Sequence, residues 1–191
     1  MCPKTKEQFE QMRQNRKAAI EEAAMQLFAE QGFNSASISR IAQKAGVSKG
    51  LLYNYFDNKE ALVKEIVLKG FRQMLDKLDF DFKKELTRER FIQLIEKNFA
   101  LLQNEIGYWS LYISVVTQPA VIALVKEEIF DVVTPFLTAL TRYYTQNGVK
   151  NPEVQSLLLG AVLDGVAIDY MLGPEAYPLE AMKNLIIEKF I

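Results

Sequence analysis

Histidine is absent from this sequence of 191 residues, and cysteine occurs once, as Cys2. Without histidine the chain cannot form a Ser-His-Asp or Cys-His catalytic system, and a zinc site built from Cys and His ligands is excluded as well. Cys2 has no second cysteine with which to form a disulfide, and such sparing use of cysteine is typical of the reducing cytoplasm. We therefore predict a cytoplasmic protein without a metal or a cofactor.

Long apolar segments are also scarce. No apolar stretch follows the charged start Met1–Lys6, so the sequence predicts no signal peptide. The segment Ile106–Val125 has no charged residue over a length that could span a membrane. It contains Ser114 and Thr117, however, and Pro119 interrupts it. Two shorter buried helices that meet at Pro119 explain the segment better, and we predict no membrane span.

Glycine and proline are sparse, with nine and six residues, and apolar residues recur at helical spacing along nearly the whole chain. No stretch alternates apolar and polar residues as a half-buried strand would. We predict an all-α fold of about nine helices. With their capping residues they are Gln14–Gln31, Ser37–Gly46, Ser48–Phe56, Asn58–Leu78, a helix from Thr87 that Gly107 interrupts, Tyr108–Val116, a helix after Pro119 that reaches Gln146, Pro152–Leu172 and Pro178–Ile191.

Charge is distributed unevenly between the two ends of the chain. Residues 1–70 hold 11 Lys and Arg against 8 Asp and Glu, a net charge of +3. Residues 71–191 hold 12 against 16, a net charge of −4. A basic end beside an acidic remainder indicates a partner-binding region with a different role elsewhere. We predict two domains, residues 1–60 and residues 61–191.

The second and third predicted helices have the pattern of a helix-turn-helix. Only Gly46 and Val47 join them, and glycine tolerates the positive φ that such a tight corner needs. Small Ala42 and Ala45 allow the second helix to approach its neighbours closely, and Leu52 faces the core behind the third. In a helix-turn-helix the second of the two helices lies in the major groove of DNA.

The exposed face of the third helix carries features that suit an anion. It contains Ser48, Lys49, Gly50, Tyr53 and Asn54. Lys49 lies in the first turn, where the helix dipole disfavours a cation, and Gly50 leaves backbone amides accessible. A bound phosphate would reverse the sign of the dipole effect, and local rules are most often broken at functional sites.

The segment Ser37–Leu62 resembles the DNA-binding signature of TetR-family transcriptional regulators, and so does the upstream run Ala24–Phe33. The resemblance covers roughly residues 15–65. It is carried by Ile41-Ala42, Gly46-Val47-Ser48-Lys49-Gly50, Leu52-Tyr53, Tyr55-Phe56 and Lys59-Glu60.

The resemblance implies a role for each matching position. The serines at the helix starts would bind phosphates, the tyrosine hydroxyls and Lys59 would contact others, and the start of the third helix would lie nearest the bases. Leu51 suits only an apolar contact such as a thymine methyl, and Asn54 suits adenine. Tyr55 stands where many family members have a histidine. The implied DNA-binding residues are Ser37, Ser39, Ser48, Lys49, Gly50, Leu51, Tyr53, Asn54, Tyr55 and Lys59.

Plainer interpretations stay open for several of these residues. Tyr53 and Tyr55 could be half-buried core aromatics. Lys49 and Lys59 could be solvated surface residues.

In TetR-like proteins the C-terminal region binds a small effector and forms a dimer, so the resemblance implies the same roles here. The middle helices are rich in aromatic residues, which suit an apolar or aromatic ligand, although core packing is the plainer explanation for each of them. Trp109 and Tyr112 are favoured because their polar tips need partners. The candidate pocket residues are Phe99, Trp109, Tyr112, Phe130, Tyr143 and Asp164.

The eighth predicted helix is apolar nearly all round and contains several small residues, which predicts burial on more than one side. Together with the ninth helix it has the composition of a dimer face, in which two protomers form a four-helix bundle. The candidate interface residues are Leu158, Ala161, Gly165, Ile168, Met182 and Ile186.

These features predict a ligand-responsive transcriptional regulator, most simply a repressor that binds a palindromic operator of double-stranded DNA as a homodimer and is released by a small effector. An alternative is a helical protein-interaction module that has lost operator binding. An enzyme is disfavoured, because the acidic pairs Glu127–Glu128 and Asp164–Asp169 diverge around their helices and no glycine-rich phosphate loop is present.

Overall fold

The structure, a computed structural model, describes residues 5–191, so the predictions that concern Cys2 and the missing signal peptide lie outside the described residues. The described residues form nine helices and no strand, which confirms the predicted all-α fold. The helices are α1 (Lys6–Gln31), α2 (Ile38–Lys44), α3 (Lys49–Tyr53), α4 (Lys59–Leu78), α5 (Arg88–Asn104), α6 (Ile106–Val116), α7 (Pro119–Gln146), α8 (Pro152–Leu172) and α9 (Leu179–Phe190).

Hydroxyl groups cap three helices where the sequence predicts a start. Each accepts a hydrogen bond from the backbone N–H three residues later: Ser37 before α2, Ser48 before α3 and Thr87 before α5. The start of α1 differs from the prediction at Gln14. Thr5 and Gln8 form a reciprocal capping box, which begins this helix two turns earlier, at Lys6.

Two other predicted helix ends are displaced by a few residues. α3 ends at Tyr53 because its last turn tightens, with the N–H of Tyr55 donating to the carbonyl of Leu52 at 2.9 Å. Gly107 lies in the first turn of α6 instead of interrupting a helix, and the break falls at Glu105.

The uncharged segment Ile106–Val125 forms parts of two helices. α6 ends at Val116, α7 begins at Pro119, and the two helices differ in direction by 100° at this break. The predicted meeting of two helices at Pro119 is confirmed. By length and composition the pair could span a membrane only if counted as one helix, and α8 is the one helix within residues 5–191 that could do so alone.

The described chain divides into two units whose limits differ from the predicted domains. The first unit contains the described residues up to Gly70 together with Leu111–Lys126, and the second contains Phe71–Ser110 and Glu127–Ile191. The segment Leu111–Lys126, which is the end of α6 and the start of α7, is called the elbow below. α4, α6 and α7 each continue from one unit into the other, so a single cut at residue 60 does not separate the units.

Each unit has its own apolar core. Complete burial of one large aliphatic or aromatic side chain contributes about 1.5–3 kcal/mol. In the first unit α1 packs on α2 and α2 on α3, around the fully buried side chains Ile20, Phe28, Ile41, Leu52, Leu62 and Val63. In the second unit α5 and α8 pack on α9, and the fully buried side chains include Phe91, Ile95, Leu140, Tyr144 and Leu159.

Candidate nucleic-acid interface

A tight backbone corner joins α2 to α3. Gly46 has a φ of 66°, a left-handed conformation that favours glycine, and its N–H donates to the carbonyl of Gln43 at 3.2 Å. The N–H of Val47 donates to the carbonyl of Ala42 at 3.0 Å, so backbone groups close the last turn of α2. Leu52 then buries its side chain completely behind α3. This is the helix-turn-helix that the sequence predicts.

One face of α3 is exposed, and it carries the residues that the sequence singles out. Ser48, Lys49, Gly50 and Asn54 are exposed, and Tyr53 retains 45% of its accessible surface. No atom lies within 4 Å of the position that a Cβ of Gly50 would take, so another backbone has room to approach there. The exposure of Tyr53 contradicts its interpretation as a core aromatic.

Lys49 supplies the positive charge of this face. Its Nζ lies 5.9 Å from the centroid of the Tyr53 ring, at a cation–π distance, and its side chain is exposed. The basic side chains of α2 are engaged with α1 instead. Lys44 pairs with Glu30 at 3.1 Å, and a guanidinium nitrogen of Arg40 donates to a side-chain amide of α1 at 2.7 Å. Lys49 is therefore the basic side chain that α3 itself presents to solvent.

The remaining predicted contacts on α2 and α3 differ in exposure. Ser37 and Ser39 are exposed, whereas Leu51 and Tyr55 are half-buried. Tyr55 lines a cleft of 560 Å³ whose other lining residues belong to α1 and α4. Part of the Tyr55 side chain is therefore engaged in packing within the first unit.

Four charged side chains connect α1 to α4 in the same unit. Glu21 is buried, and its carboxylate lies 2.5 Å from Nζ of Lys69 and 3.8 Å from Nζ of Lys17. Lys17 also pairs with Glu65 at 2.8 Å. Because a buried carboxylate is costly without a partner, these cations hold the two helices together beside the DNA-binding corner.

Lys59 does not have the role that the sequence predicts. Its Nζ donates to the carbonyls of Phe33 at 2.8 Å, Ala36 at 3.0 Å and Asn34 at 3.2 Å. It also lies 4.5 Å from the centroid of the Phe33 ring. An ammonium group has three N–H donors, and carbonyls use all of them here. The predicted phosphate contact is therefore wrong, and Lys59 instead fixes the connection between α1 and α2.

Two contacts of the elbow have no signal in the sequence. The ring of Tyr112 packs against Gly70 of α4, and its hydroxyl donates to the carbonyl of Val67 at 2.7 Å. The side-chain amide of Gln118 binds backbone groups at the end of α1. A single glycine within a helix and a glutamine before a proline form no recognisable motif, so these contacts are seen only in the folded structure.

Two of the candidate pocket residues are placed where they do not line an enclosed site. Tyr112 belongs to the first unit, and its buried hydroxyl already donates to Val67. Phe130 is 67% exposed on α7. Both placements correct the prediction made from aromatic composition, which does not distinguish a pocket wall from a packing contact or an exposed ring.

The other four candidates lie in the second unit. Phe99, Trp109 and Tyr143 are buried, and burial raises the pKa of the Tyr143 hydroxyl. Asp164 is exposed, yet partial desolvation raises the pKa of its carboxyl. These four residues remain the candidates for contact with an effector.

An apolar stripe runs along the exposed face of α8 from its first turn to its last. The exposed fraction is 63% for Val154 and 82% for Leu172, at the two ends. A cleft of 510 Å³ between α7 and α8 borders the stripe at Leu157. The members recur at the three- and four-residue spacing of one helix face, and they are Val154, Leu157, Leu158, Ala161, Gly165, Ile168 and Leu172, called the α8 stripe below.

The candidate interface residues of α9 are less exposed than those of α8. Ile186 retains only 3% of its accessible surface because it packs into the core of its own unit, so its assignment to a dimer face is wrong. Its neighbour Leu185 is 47% exposed instead. Met182 is half-buried against the same core.

Comparison with known proteins gives an independent result. The family model described as bacterial regulatory proteins of the tetR family matches residues 20–66. The fatty acid metabolism regulator protein of Bacillus subtilis is 24% identical over 184 residues, which are 90% of this chain and 92% of that protein. The HTH-type transcriptional regulator UidR of Escherichia coli is 27% identical over 146 residues, 74% of this chain and 72% of that protein.

The fold is also shared with solved structures. The transcriptional regulator FadR from Bacillus subtilis in complex with stearoyl-CoA superposes with a TM-score of 0.71, with 24% sequence identity, covering 91% of this chain and 98% of that one. The residues matched by the family model contain α2, α3 and the start of α4, the same corner whose exposed face carries Lys49 and Tyr53. Residues 20–66 therefore match the DNA-binding region of the tetR family, and the relatives and the shared fold support a TetR-family transcriptional regulator.

Proposed function

We propose that this regulator is a repressor that binds a palindromic operator as a homodimer and leaves it when an acyl thioester binds. The observation that carries the proposal is the exposed face of α3, where Lys49, Gly50 and Tyr53 lie together on a helix fixed by its cap and its corner. A side chain on such a face reads base edges in the major groove, and hydroxyl and ammonium groups beside it bind phosphates.

The proposed contacts follow from the chemistry of each side chain. Lys49 donates to a phosphate or to the O6 and N7 acceptors of guanine, and its exposed position is suited to both. Tyr53 brings a hydroxyl donor to the same face. Gly50 allows close approach of the DNA backbone because no side chain stands there.

The α8 stripe supports the homodimer. An exposed apolar face this long is costly in water, and monomeric proteins rarely retain one. Ala161 and Gly165 at its centre allow two copies of α8 to approach closely, and Leu185 of α9 adds an exposed apolar side chain. A second copy of this chain is the occupant that we propose, because a twofold dimer would carry two α3 helices for two half-sites one helical turn apart.

The effector that we propose is a long-chain acyl thioester of coenzyme A. A protein of the same fold was solved with stearoyl-CoA, and a relative that matches nine-tenths of this chain is a fatty acid metabolism regulator. The buried apolar and aromatic side chains of the second unit suit an acyl chain. Effector and operator then weaken each other by the same factor, because binding linkage is reciprocal.

The first experiment is fluorescence anisotropy with tiled DNA fragments from the upstream region of the gene, titrated at several salt concentrations. We expect tight binding to one palindromic fragment, with an affinity that falls as salt rises. K49A and Y53A should weaken this binding about tenfold each, whereas K150A, which removes an exposed lysine between α7 and α8, should not. Weak binding to every fragment, unchanged by K49A and Y53A, would favour the protein-interaction module.

A second titration tests the effector. Stearoyl-CoA, free coenzyme A and stearate are added separately to the protein–operator complex. Release by stearoyl-CoA alone supports a thioester that needs both parts, release by stearate assigns the site to the acyl chain, and release by coenzyme A assigns it to the nucleotide. No release by any of the three refutes this effector class while leaving operator binding as measured.

A further inference from the structure

Gln118 stands in the elbow, and its side-chain amide uses both of its polar ends. Oε1 accepts from the N–H of Phe33 at 2.7 Å. Nε2 donates to the carbonyl of Phe28 at 2.9 Å and to that of Ser114 at 2.9 Å. Two of these bonds join residues 85 and 90 positions apart in the chain. A single side chain therefore ties the break between α6 and α7 to the end of α1.

Gln118 binds backbone groups at the C-terminal end of α1. The carbonyl of Phe28 also accepts from the N–H of Gly32 at 3.0 Å, which closes the last turn of the helix. Gly32 has a φ of 79°, and Phe33 follows it with a buried ring 5.4 Å from that of Phe28. A backbone N–H at such a buried residue needs an acceptor, and Gln118 supplies it.

A second side chain holds the same connection from another element. Lys59 of α4 binds the carbonyls of Phe33, Asn34 and Ala36, as described above. The cap residue Ser37 follows directly and begins α2. The connection that precedes α2 is therefore bound by one residue of α4 and one residue of the elbow, in addition to the packing of α1 on α2.

Within the first unit, the elbow also contacts α4. The hydroxyl of Tyr112 donates to the carbonyl of Val67, and its ring lies against Gly70. Both helices of the elbow continue without interruption into the second unit, α6 towards its N-terminus and α7 towards its C-terminus. Gln118 therefore lies between two helices that both continue into segments of the second unit.

We propose that Gln118 is a positioning residue for operator binding, and that its amide makes the affinity for DNA depend on the position of the elbow. The inference rests on the proposed function, since it concerns how a repressor of this kind is released. A hydrogen bond at 2.7–2.9 Å is lost once its atoms move apart by about 1 Å, so a small displacement of the elbow frees the N–H of Phe33. Of the two side chains that bind this connection from α4 and from the elbow, Lys59 then remains.

The test compares two neighbouring substitutions in the full-length protein. Q118M keeps the length of the side chain and removes its hydrogen bonds to α1. T117V is the matched control, because the hydroxyl of Thr117 donates only to the carbonyl of Ile113, four residues back, at 2.7 Å. Operator affinity is measured by anisotropy without effector, and folding by circular dichroism. We expect Q118M to bind about tenfold more weakly and T117V to stay within about twofold of the wild type.

The response to effector provides a second readout. Q118M already lacks the hydrogen bonds that effector binding is proposed to break. Stearoyl-CoA should therefore weaken the operator binding of Q118M much less than that of the wild type. Loss of DNA contacts alone would lower the affinity and leave the fold-change caused by stearoyl-CoA as it was.

Q118E separates positioning from packing by its dependence on pH. At about pH 7.5 a carboxylate accepts from Phe33 but faces the carbonyls of Phe28 and Ser114, so binding should be weak. At about pH 5.5 a protonated carboxyl regains a donor, and the gap in affinity between Q118E and the wild type should narrow. If Gln118 only fills space, the gap in operator affinity between Q118E and the wild type should not change with pH. If Q118M does not fold, Q118E tests the role of Gln118 on its own.

Two results overturn the inference. One is wild-type affinity and wild-type response to stearoyl-CoA in a folded Q118M variant, and the other is an equal loss of affinity in T117V. The wild-type titration keeps this failure distinct from failure of the proposed function. A wild-type protein that binds none of the fragments refutes the repressor itself, and the role of Gln118 is refuted with it.

Discussion

The ring of Tyr112 lies so close to the backbone of Gly70 that a Cβ built at residue 70 would stand 2.2 Å from Cε2 of the ring. Real Cβ atoms do not approach another heavy atom so closely, so this contact between α4 and α6 requires glycine. The bond from the Tyr112 hydroxyl to the carbonyl of Val67 holds the ring in place. The end of α6 is thereby seated on α4 within the first unit.

The contact predicts opposite outcomes for the same substitution at two helical glycines. G70A should lower the free energy of unfolding by about 1–3 kcal/mol, because the ring of Tyr112 has to move. G160A is the control, because no atom lies within 4 Å of its Cβ position and alanine favours a helix over glycine by up to about 1 kcal/mol. It should be neutral or stabilising. Urea denaturation measures both, and a G70A variant as stable as G160A would contradict the close approach.

Lys49 and Lys59 should respond differently to substitution although both lie near the predicted DNA surface. K59M removes three bonds to carbonyls and should lower the free energy of unfolding by about 2 kcal/mol. K49A should change stability by less than about 0.5 kcal/mol, since Lys49 is exposed.

The salt dependence of operator binding separates the two lysines further. If Lys49 contacts a phosphate, K49A should reduce the slope of log affinity against log salt by about 0.9. K59M should leave that slope unchanged. A reduced slope in K59M would restore the phosphate contact that the structure contradicts.

The α8 stripe predicts that a charge placed within it separates the dimer. L158E places a carboxylate on the apolar face and should raise the dissociation constant of the dimer more than about tenfold, with weaker operator binding as a result. I122E is the control, because Ile122 is 46% exposed on α7 outside the stripe. Sedimentation equilibrium measures both variants. Equal association by L158E and the wild type would place the interface elsewhere.

Removing the charge of Asp164 should stabilise the folded protein to an extent that depends on pH. Its pKa is raised in the folded protein by desolvation, so the folded state binds a proton more readily than the unfolded chain. Stability therefore falls as pH rises from the ordinary carboxyl pKa through the raised one. D164N should be more stable than the wild type at about pH 7 and show no advantage at about pH 3. D169N, an exposed substitution on the same helix, is the control for thermal unfolding at both pH values.

Local chemistry explains why the sequence predicts so much of this fold. Ser37, Ser48 and Thr87 act on the next few residues, and Gly46 is required by its own backbone angle, so none of them depends on distant packing. The helix-turn-helix is built from such short-range signals. These signals suffice to predict that Lys49 and Tyr53 lie on an exposed face, whatever the rest of the chain does.

Long-range contacts explain where the predictions fail. Nothing in the sequence sets Lys59 apart from an exposed lysine. Only the folded α1–α2 connection brings three carbonyls to its ammonium group. On α9, Leu185 and Ile186 are adjacent apolar residues that point about 100° apart, and the sequence does not show which of the two faces the core of its unit. Two of the three partners of Gln118, Phe28 and Phe33, lie far away in the sequence.

The interrupted first unit has a consequence for synthesis on the ribosome. Domains generally fold as units from the N-terminus at about 5–20 residues per second, so an N-terminal DNA-binding module would be finished early. Here Gln118 and Tyr112 belong to that unit but are translated only after the whole of α5. The N–H of Phe33 lacks its Gln118 acceptor until the elbow has emerged from the ribosome. A nascent chain that stalls before that point carries an incomplete DNA-binding surface, so operator binding becomes possible only once the segment that would regulate it has also been made.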